Sequence, residues 1–243
     1  MKQKGKIYIG TSGWHYKHWL GTFYPEGVKE KTQLSYYTTQ FKTVELNNSF
    51  YRLPTPETFS GWAAAVPNDF LFVVKASRFF THMKKLNLTP AELKPFFNAV
   101  DRLGKKLGPV LFQLPPFWKV NSQRFEHFLS ILPKGYKYTF EFRNDTWYTE
   151  EIYDLLRKYK CAFCWYHLAG HISPQEVTAN FVYIRLHGPG EKYQGSYTTA
   201  ALKSWATVCK ELSNEGKTVY VYFDNDQAGY AAFNALKLAE LVK

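Results

Sequence analysis

The stretch Thr43-Val44-Glu45-Leu46-Asn47-Asn48-Ser49-Phe50-Tyr51-Arg52 opens as a strand in which Val44 and Leu46 alternate with Glu45 and Asn47. Successive side chains of a strand point to opposite faces, so one face is apolar and the other carries a carboxylate and an amide. In a half-exposed antiparallel sheet that polar face would simply meet water. Several other strands of the chain, however, repeat the pattern, with their polar residues always near the C-terminal end. That repetition decides the fold.

Working outward from this stretch, strands are predicted over residues 6–14, 70–77, 109–114, 136–143, 161–167, 181–187 and 218–224, which with the opening strand makes eight. Helices are predicted between them, over about 28–41, from Thr55 onward, 89–105, 122–132, up to about 160, 198–214 and 226–241. Thr55 is an N-cap with Pro56 at the first helical position. Thr89-Pro90-Ala91-Glu92 reads as a capping box, and Pro95 beyond it as a kink or a late start. Asp145 or Thr146 is the expected cap of the sixth helix. The link after the sixth strand is short and contains Pro174, so its helix should be a stub. Strand–helix alternation implies parallel strands. Eight such units in 243 residues favour a single α/β domain over residues 1–243, a (β/α)8 TIM barrel with a shortened helix between strands six and seven. An open doubly wound sheet lacks its glycine fingerprint here.

Composition narrows the class. The chain is 45% hydrophobic and 21% charged, an ordinary globular balance, with aromatics high at 19%. Lys and Arg outnumber Asp and Glu by 31 to 20, a net charge of +11. Such charge attracts nucleic acid or phosphorylated metabolites, and it equally serves as a solvated basic surface. The basic start, residues 1–6, leads into a strand rather than an apolar signal core, and no apolar run approaches the ~20 residues of a membrane span. A cytoplasmic protein with no membrane partner is expected. Cys161, Cys164 and Cys209 make no disulfide framework. Cys161 and Cys164 form a C-x-x-C string inside a strand, where their spacing sends the thiols to opposite faces, so they read as reduced core cysteines.

In a barrel the helix-facing strand positions are apolar and alternate with axis-facing ones. The outward sets are Val44/Leu46, Phe72/Val74, Val110/Phe112/Leu114, Phe140/Phe142, Val182/Ile184/Leu186 and Val219/Val221/Phe223. The axis then receives Ser12, Glu45, Asn47, Lys75, Gln113, Glu141, Arg143, Arg185, His187, Tyr222 and Asp224 near the C-terminal ends. Tyr8, Leu71, Val73, Leu111, Thr139 and Tyr220 become the deeper filling. A polar cluster at this end of the axis is how active sites of the fold are built. The competing reading is a buried ion network, since Glu45, Glu141 and Asp224 balance Lys75, Arg143 and Arg185. Buried pairs are often no better than apolar residues for stability, so so many at one end point to a site.

The residue types limit the chemistry. Acids already matched by cations leave few metal ligands, His187 and His167 aside, and no HxH or HExxH spacing occurs, so no metal and no cofactor are expected. Glu45 and Glu141 could form a glycosidase-like acid/base pair. Lys75 suits a Schiff-base nucleophile or proton donor, or merely an ion pair with Glu45. His187 is a further acid/base candidate, or a core histidine satisfied by backbone. Arg143 and Arg185 suit a phosphate or carboxylate, and Ser12, Trp14, Asn47, Tyr51, Gln113, Tyr222 and Asp224 would complete the substrate contacts. The loop aromatics Trp14, Tyr16, Trp19, Phe50, Tyr51, Phe117, Trp118 and Trp147 would form a rim suited to sugars, nucleobases or a partner's side chains.

Seven runs also carry a resemblance: Gly10-Thr11-Ser12-Gly13-Trp14, the stretch from Val44 to Arg52, Phe72-Val73-Val74-Lys75-Ala76, Gln113-Leu114-Pro115-Pro116, Glu141-Phe142-Arg143, Arg185-Leu186-His187-Gly188 and Tyr222-Phe223-Asp224-Asn225-Asp226. Together they resemble the YecE-like family, domain of unknown function 72, from Ile7 to about Leu241. The resemblance implies a single TIM barrel and brings no settled activity. Two departures stand out. The family often has histidine where this chain has Asn144, and two asparagines where it has Asp224-Asn225, which adds a carboxylate to the site. The expected function is a metal-independent enzyme, hydrolase or lyase, binding a small anionic or sugar-like substrate at the barrel mouth. The alternative is a nucleic-acid-binding or DNA-repair-like protein. The resemblance permits that by analogy with barrel-fold apurinic-site endonucleases, whose metal ligands have no counterpart here. A non-catalytic scaffold fits the polar axis least.

Overall fold

Each predicted strand has one apolar face that must be covered, and a ring of helices around a closed sheet covers all of them. A computed structural model, which describes residues 3–243, has this architecture. Its barrel strands are β1 (Ile7–Thr11), β2 (Thr43–Leu46), β3 (Leu71–Lys75), β4 (Leu107–Gln113), β5 (Tyr138–Glu141) and β6 (Ala162–Leu168). After the two-residue β7 (His171–Ile172) come β8 (Phe181–Leu186) and β9 (Thr218–Phe223). The hydrogen-bonded order is β1-β9-β8-β6-β5-β4-β3-β2, all parallel, with β7 off the path.

The helices are α1 (Gln33–Gln40), the single turn α2 (Asn48–Tyr51), α3 (Pro56–Ala65), α4 (Pro90–Val100), α5 (Ser122–Ile131), α6 (Glu150–Lys158), α7 (Thr199–Asn214) and α8 (Tyr230–Leu241). Every outward strand residue named above belongs to one large apolar layer between sheet and helices. Val73, Leu111 and Tyr220, with Tyr8 and Leu71 packed against them, sit in a separate cluster inside the barrel, joined by Ala162, Cys164, Phe181, Tyr183 and Tyr222.

The ring closes at β1 and β2 by unusual means. These strands share only the bridge Ser12–Glu45 and the bond from Gly13 N to the Glu45 carbonyl at 2.8 Å. Further down, the Tyr37 hydroxyl from α1 stands between them. It accepts from Thr11 N at 3.0 Å and donates to the Thr43 carbonyl at 3.1 Å, replacing a missing rung of the ladder. Gly10 permits the approach, for a Cβ there would lie 2.3 Å from the Thr43 carbonyl oxygen.

Several expectations need correction. No helix, even a stub, follows β6; the chain turns back as β7, antiparallel to β6. The sixth helix starts at Glu150 with Thr149 as its cap, because Asp145 to Trp147 are spent in a 3-10 turn. Pro95 neither delays nor ends α4, which opens at Pro90 on the expected capping box. The first helix begins at Gln33 and the last at Tyr230, both later than predicted. Met1 and Lys2 of the basic start lie outside the described residues. Cys161 and Cys164 are unbonded and buried in the outer and inner layers respectively, and burial pushes the Cys161 thiol up to about 12. No described helix is long and apolar enough to cross a membrane.

Candidate active site

The C-terminal ends of β1, β2, β5, β8 and β9 deliver a charged cluster built around Arg185, which is fully buried. Its Nε and Nη2 donate to Glu45 Oε2 at 2.9 Å and Oε1 at 2.6 Å, a bidentate pair. Its Nη1 donates to Glu141 Oε2 at 2.8 Å and meets His187 Nε2 at 3.2 Å. Nη2 also reaches Ser12 Oγ at 3.3 Å and Asp224 Oδ2 at 3.4 Å. The remaining lone pairs of Glu45 are taken by the Ser12 and Tyr183 hydroxyls. Both glutamates are completely shielded from solvent. The expected acid/base pair is therefore locked: each carboxylate is held by arginine and neither faces open space. Burial works to raise the Glu141 pKa, but Arg143 and Arg185 overcome it and hold the carboxyl well below the usual range.

His187 is equally committed. Its Nε2 meets Arg143 Nη2 at 2.8 Å, and its Nδ1 meets Asp224 Oδ2 at 3.0 Å. An arginine can only donate, so Nε2 is the acceptor and the proton sits on Nδ1, facing Asp224. The imidazole lone pair is thus unavailable for proton transfer while Arg143 stays in place. Asp224 is 18% exposed at its side chain and belongs to the outer edge of the cluster. Burial works to raise its pKa, but the His187 hydrogen bond and the Arg185 charge hold it below the ordinary value.

Lys75 differs from the rest. Glu45 has no lone pair left for it, and the expected ion pair does not form. Among the described residues its Nζ makes neither a salt bridge nor a hydrogen bond; it lies 4.3 Å from the centre of the Phe50 ring. Burial, helped by the Arg185 charge, lowers its pKa from 10.5 to about 8, against the pull of Glu141, Glu45 and Asp224. The result is a half-buried amine at the mouth with no fixed partner.

Arg143 leads to the adjoining cleft. Its Nε donates to Glu141, its Nη2 meets His187 and its guanidinium lies 4.7 Å from the Tyr166 ring centre; among the described residues Nη1 has no hydrogen-bond partner. The cleft beside it, about 530 Å³, is lined by Gln113, Arg143, Tyr148, Tyr166, Lys192 and Tyr193 among others. Tyr193, from the loop after β8, holds its ring 5.4 Å from His187. Lys192 and Tyr193 border this cleft and a second, about 350 Å³, that reaches Asp224.

Of the predicted site residues, Ser12, Glu45, Glu141, Arg143, Arg185, His187 and Asp224 come together, with Lys75 and Gln113 on neighbouring strands beside them. Tyr222 lies within the barrel interior, its hydroxyl 2.6 Å from Thr43 Oγ1, and fills rather than binds. Trp14 and Asn47 instead line a separate hollow outside the strands, where Trp14 packs on Trp62 at 5.4 Å. Tyr51 rides on α2, 73% exposed. All three lie past the last strand residue, where the two-residue alternation ceases to apply. The expected rim also shrinks, because Trp19, Trp118 and Trp147 are buried loop supports.

Tyr166, Tyr183 and Tyr193 were missed. The Ala162–Leu168 strand is apolar on both faces, so alternation could not pick out Tyr166. Tyr183 stood in register with Arg185 and was legible; Tyr193 sits in a loop without periodicity. Asn144, at the departure from the family pattern, caps a turn by accepting from Thr146 N at 3.2 Å. Among the described residues, no group of three or more His, Cys, Asp or Glu side chains is arranged to hold a metal ion.

A family model described as "Protein of unknown function DUF72" matches residues 8–243. The chain is 26% identical to the UPF0759 protein YunF of Bacillus subtilis (strain 168), over 97% of this chain and 94% of that one. It is 28% identical to the UPF0759 protein YecE of Escherichia coli (strain K12), over 59% of this chain and 51% of that one. The crystal structure of a DUF72 family protein from Thermotoga maritima superposes with a TM-score of 0.88 at 30% identity, covering 98% of this chain and 99% of that one.

Proposed function

The chain belongs to the DUF72 family, and from that premise and its own mouth residues we propose that it is an enzyme acting on a small anionic, phosphate- or carboxylate-bearing, or sugar-like substrate bound at the C-terminal end of the barrel. The observation that carries this reading is Lys75, a partnerless amine with a pKa of about 8 amid a cluster where every other charge is paired. Stability gives no reason for a desolvated lysine without an anion; a substrate anion or carbonyl does.

The roles follow from access. Glu45, Glu141, Arg185 and His187 hold the site in shape, each saturated by the others. Lys75, Gln113, the Nη1 edge of Arg143 and Asp224 meet the ligand. Arg143 anchors an oxyanion. Lys75, with a pKa near 8, can give or take a proton near neutral pH, whereas Asp224, held below its ordinary value, stays ionised and acts as a fixed negative charge at the edge of the site. Hydrolysis and elimination are the reactions that an amine titrating there serves as acid or base.

The test is a thermal-shift screen of wild type and Lys75→Ala against sugar phosphates, organic acids, nucleotides and oligonucleotides. A ligand at 100 times its dissociation constant stabilises by about 2.7 kcal/mol, or a shift of roughly 5–10 °C for a chain of this size. A small anion that stabilises wild type and not Lys75→Ala is the expected result. Stabilisation by oligonucleotides alone, fading with salt and indifferent to Lys75, would overturn the proposal in favour of nucleic-acid binding.

A further inference from the structure

The opposite, N-terminal end of the barrel holds a further cavity, about 650 Å³, whose rim carries Lys6, Lys105, Lys134 and Lys137. Its floor is the stacked pair Tyr8 and Tyr220, with ring centres 5.3 Å apart and planes 10° from parallel. We propose that this bowl binds a multiply charged phosphate anion, an oligophosphate of the kind carried by a nucleoside triphosphate.

The case is one of missing counter-charge. None of the four lysines has a carboxylate within salt-bridge distance among the described residues. Asp101 alone among the lining residues is acidic, and its Oδ1 already accepts the Tyr136 hydroxyl at 2.6 Å. Asp69, near enough to feel Lys6, is bound by Lys42 at 3.1 Å. Lys106 turns away and donates to the Ala63 and Val66 carbonyls, both at 2.7 Å.

Lys137 is drawn in over the floor instead. Its amine lies 5.8 Å from the Phe181 ring centre and 5.9 Å from that of Tyr220, and donates to the Tyr220 hydroxyl at 3.5 Å. Partial burial lowers its pKa. Like charges gathered around a concave surface repel one another, and a low-dielectric floor strengthens the field they set up. Only an anion with several charges answers all four at once. Lysines, as point charges on long stems, suit phosphate without demanding one geometry. The bowl shares no residue with the mouth, so this inference stands or falls independently of the enzymatic reading.

Isothermal titration of the full chain with ATP, with tripolyphosphate and with a short oligonucleotide, at constant ionic strength, tests it. One saturable site is expected, weakened about tenfold or more by Lys134→Ala/Lys137→Ala. Lys134→Arg/Lys137→Arg should retain it, as should the mouth variant Lys75→Ala. Equal affinity for ATP and tripolyphosphate assigns the phosphates alone; tighter ATP adds stacking on the tyrosine floor. Absence of a saturable site, binding that survives the double alanine variant, or saturable binding of oligonucleotides only would each overturn the proposal. Circular dichroism melts of the double variant guard against loss of fold, and if the alanines unfold, Lys134→Gln/Lys137→Gln, which removes the charges but keeps the stems, should weaken binding to the same extent.

Discussion

Glu45 shows what a single residue is asked to do. It was the first functional candidate in the sequence because alternation forced it to the axis, and the structure does place it there, but in a shell of donors. Arg185, Ser12 and Tyr183 leave its two oxygens no lone pair for a substrate. Glu45→Gln would remove the charge that pairs bidentately with Arg185 and could set an amide NH2 against guanidinium nitrogens that can only donate. Breaking one partner of a buried pair costs about 3–5 kcal/mol, so the variant should lose that much in urea unfolding. A variant that keeps its urea midpoint but no longer turns over or binds ligand would return Glu45 to chemistry. Strand parity could find Glu45, Glu141 and Arg185. It could not reveal that they satisfy one another and leave Lys75 alone, because that depends on which side chains meet across the barrel.

Among the elements, a local signal suffices where one residue decides the structure. Thr55 and Thr89 cap α3 and α4 as their sequences require. The failures are places where tertiary contacts choose between local options. The chain after β6 became a β-turn-β return because Tyr166 N is served by Ser173 Oγ at 2.9 Å and Ser173 N by the Tyr166 carbonyl at 3.0 Å, a pairing invisible in periodicity. The β1–β2 seam is the same kind of feature. Nothing in the α1 sequence marks Tyr37 as a structural rung, yet its hydroxyl serves both strands. Tyr37→Phe would leave Thr11 N and the Thr43 carbonyl buried and unpaired, at a cost of about 1–3 kcal/mol. Amide exchange should show it locally: Thr11 and its β1 neighbours should exchange faster, while β4 and β5 across the barrel keep their protection apart from the global loss. Uniform exchange and an unchanged urea midpoint would mean the seam is held by other contacts.

The whole molecule carries a charge problem that its fold resolves unevenly. With 31 Lys and Arg against 20 Asp and Glu, acidification adds positive charge to a chain already at +11. It also attacks the cluster that ties five strands together at the mouth. Glu141 and Asp224 ionise at lower pH in the folded protein than in the unfolded chain. Their stabilisation is therefore complete above about pH 4.5 and is lost as pH falls through the folded values. His82 and His167, both lowered mainly by burial, act earlier and in the same direction. The unfolded chain takes up their protons first, so stability should begin to fall below about pH 6.5. A urea midpoint measured across pH should thus slope gently from 6.5 to 4.5 and steeply beneath. Added salt separates the two causes: it screens repulsion between exposed lysines but hardly reaches a fully buried network. If repulsion alone drove the loss, high salt would restore the midpoint at pH 4; a fall that persists in salt, and that is already present in Glu45→Gln at pH 7, belongs to the mouth.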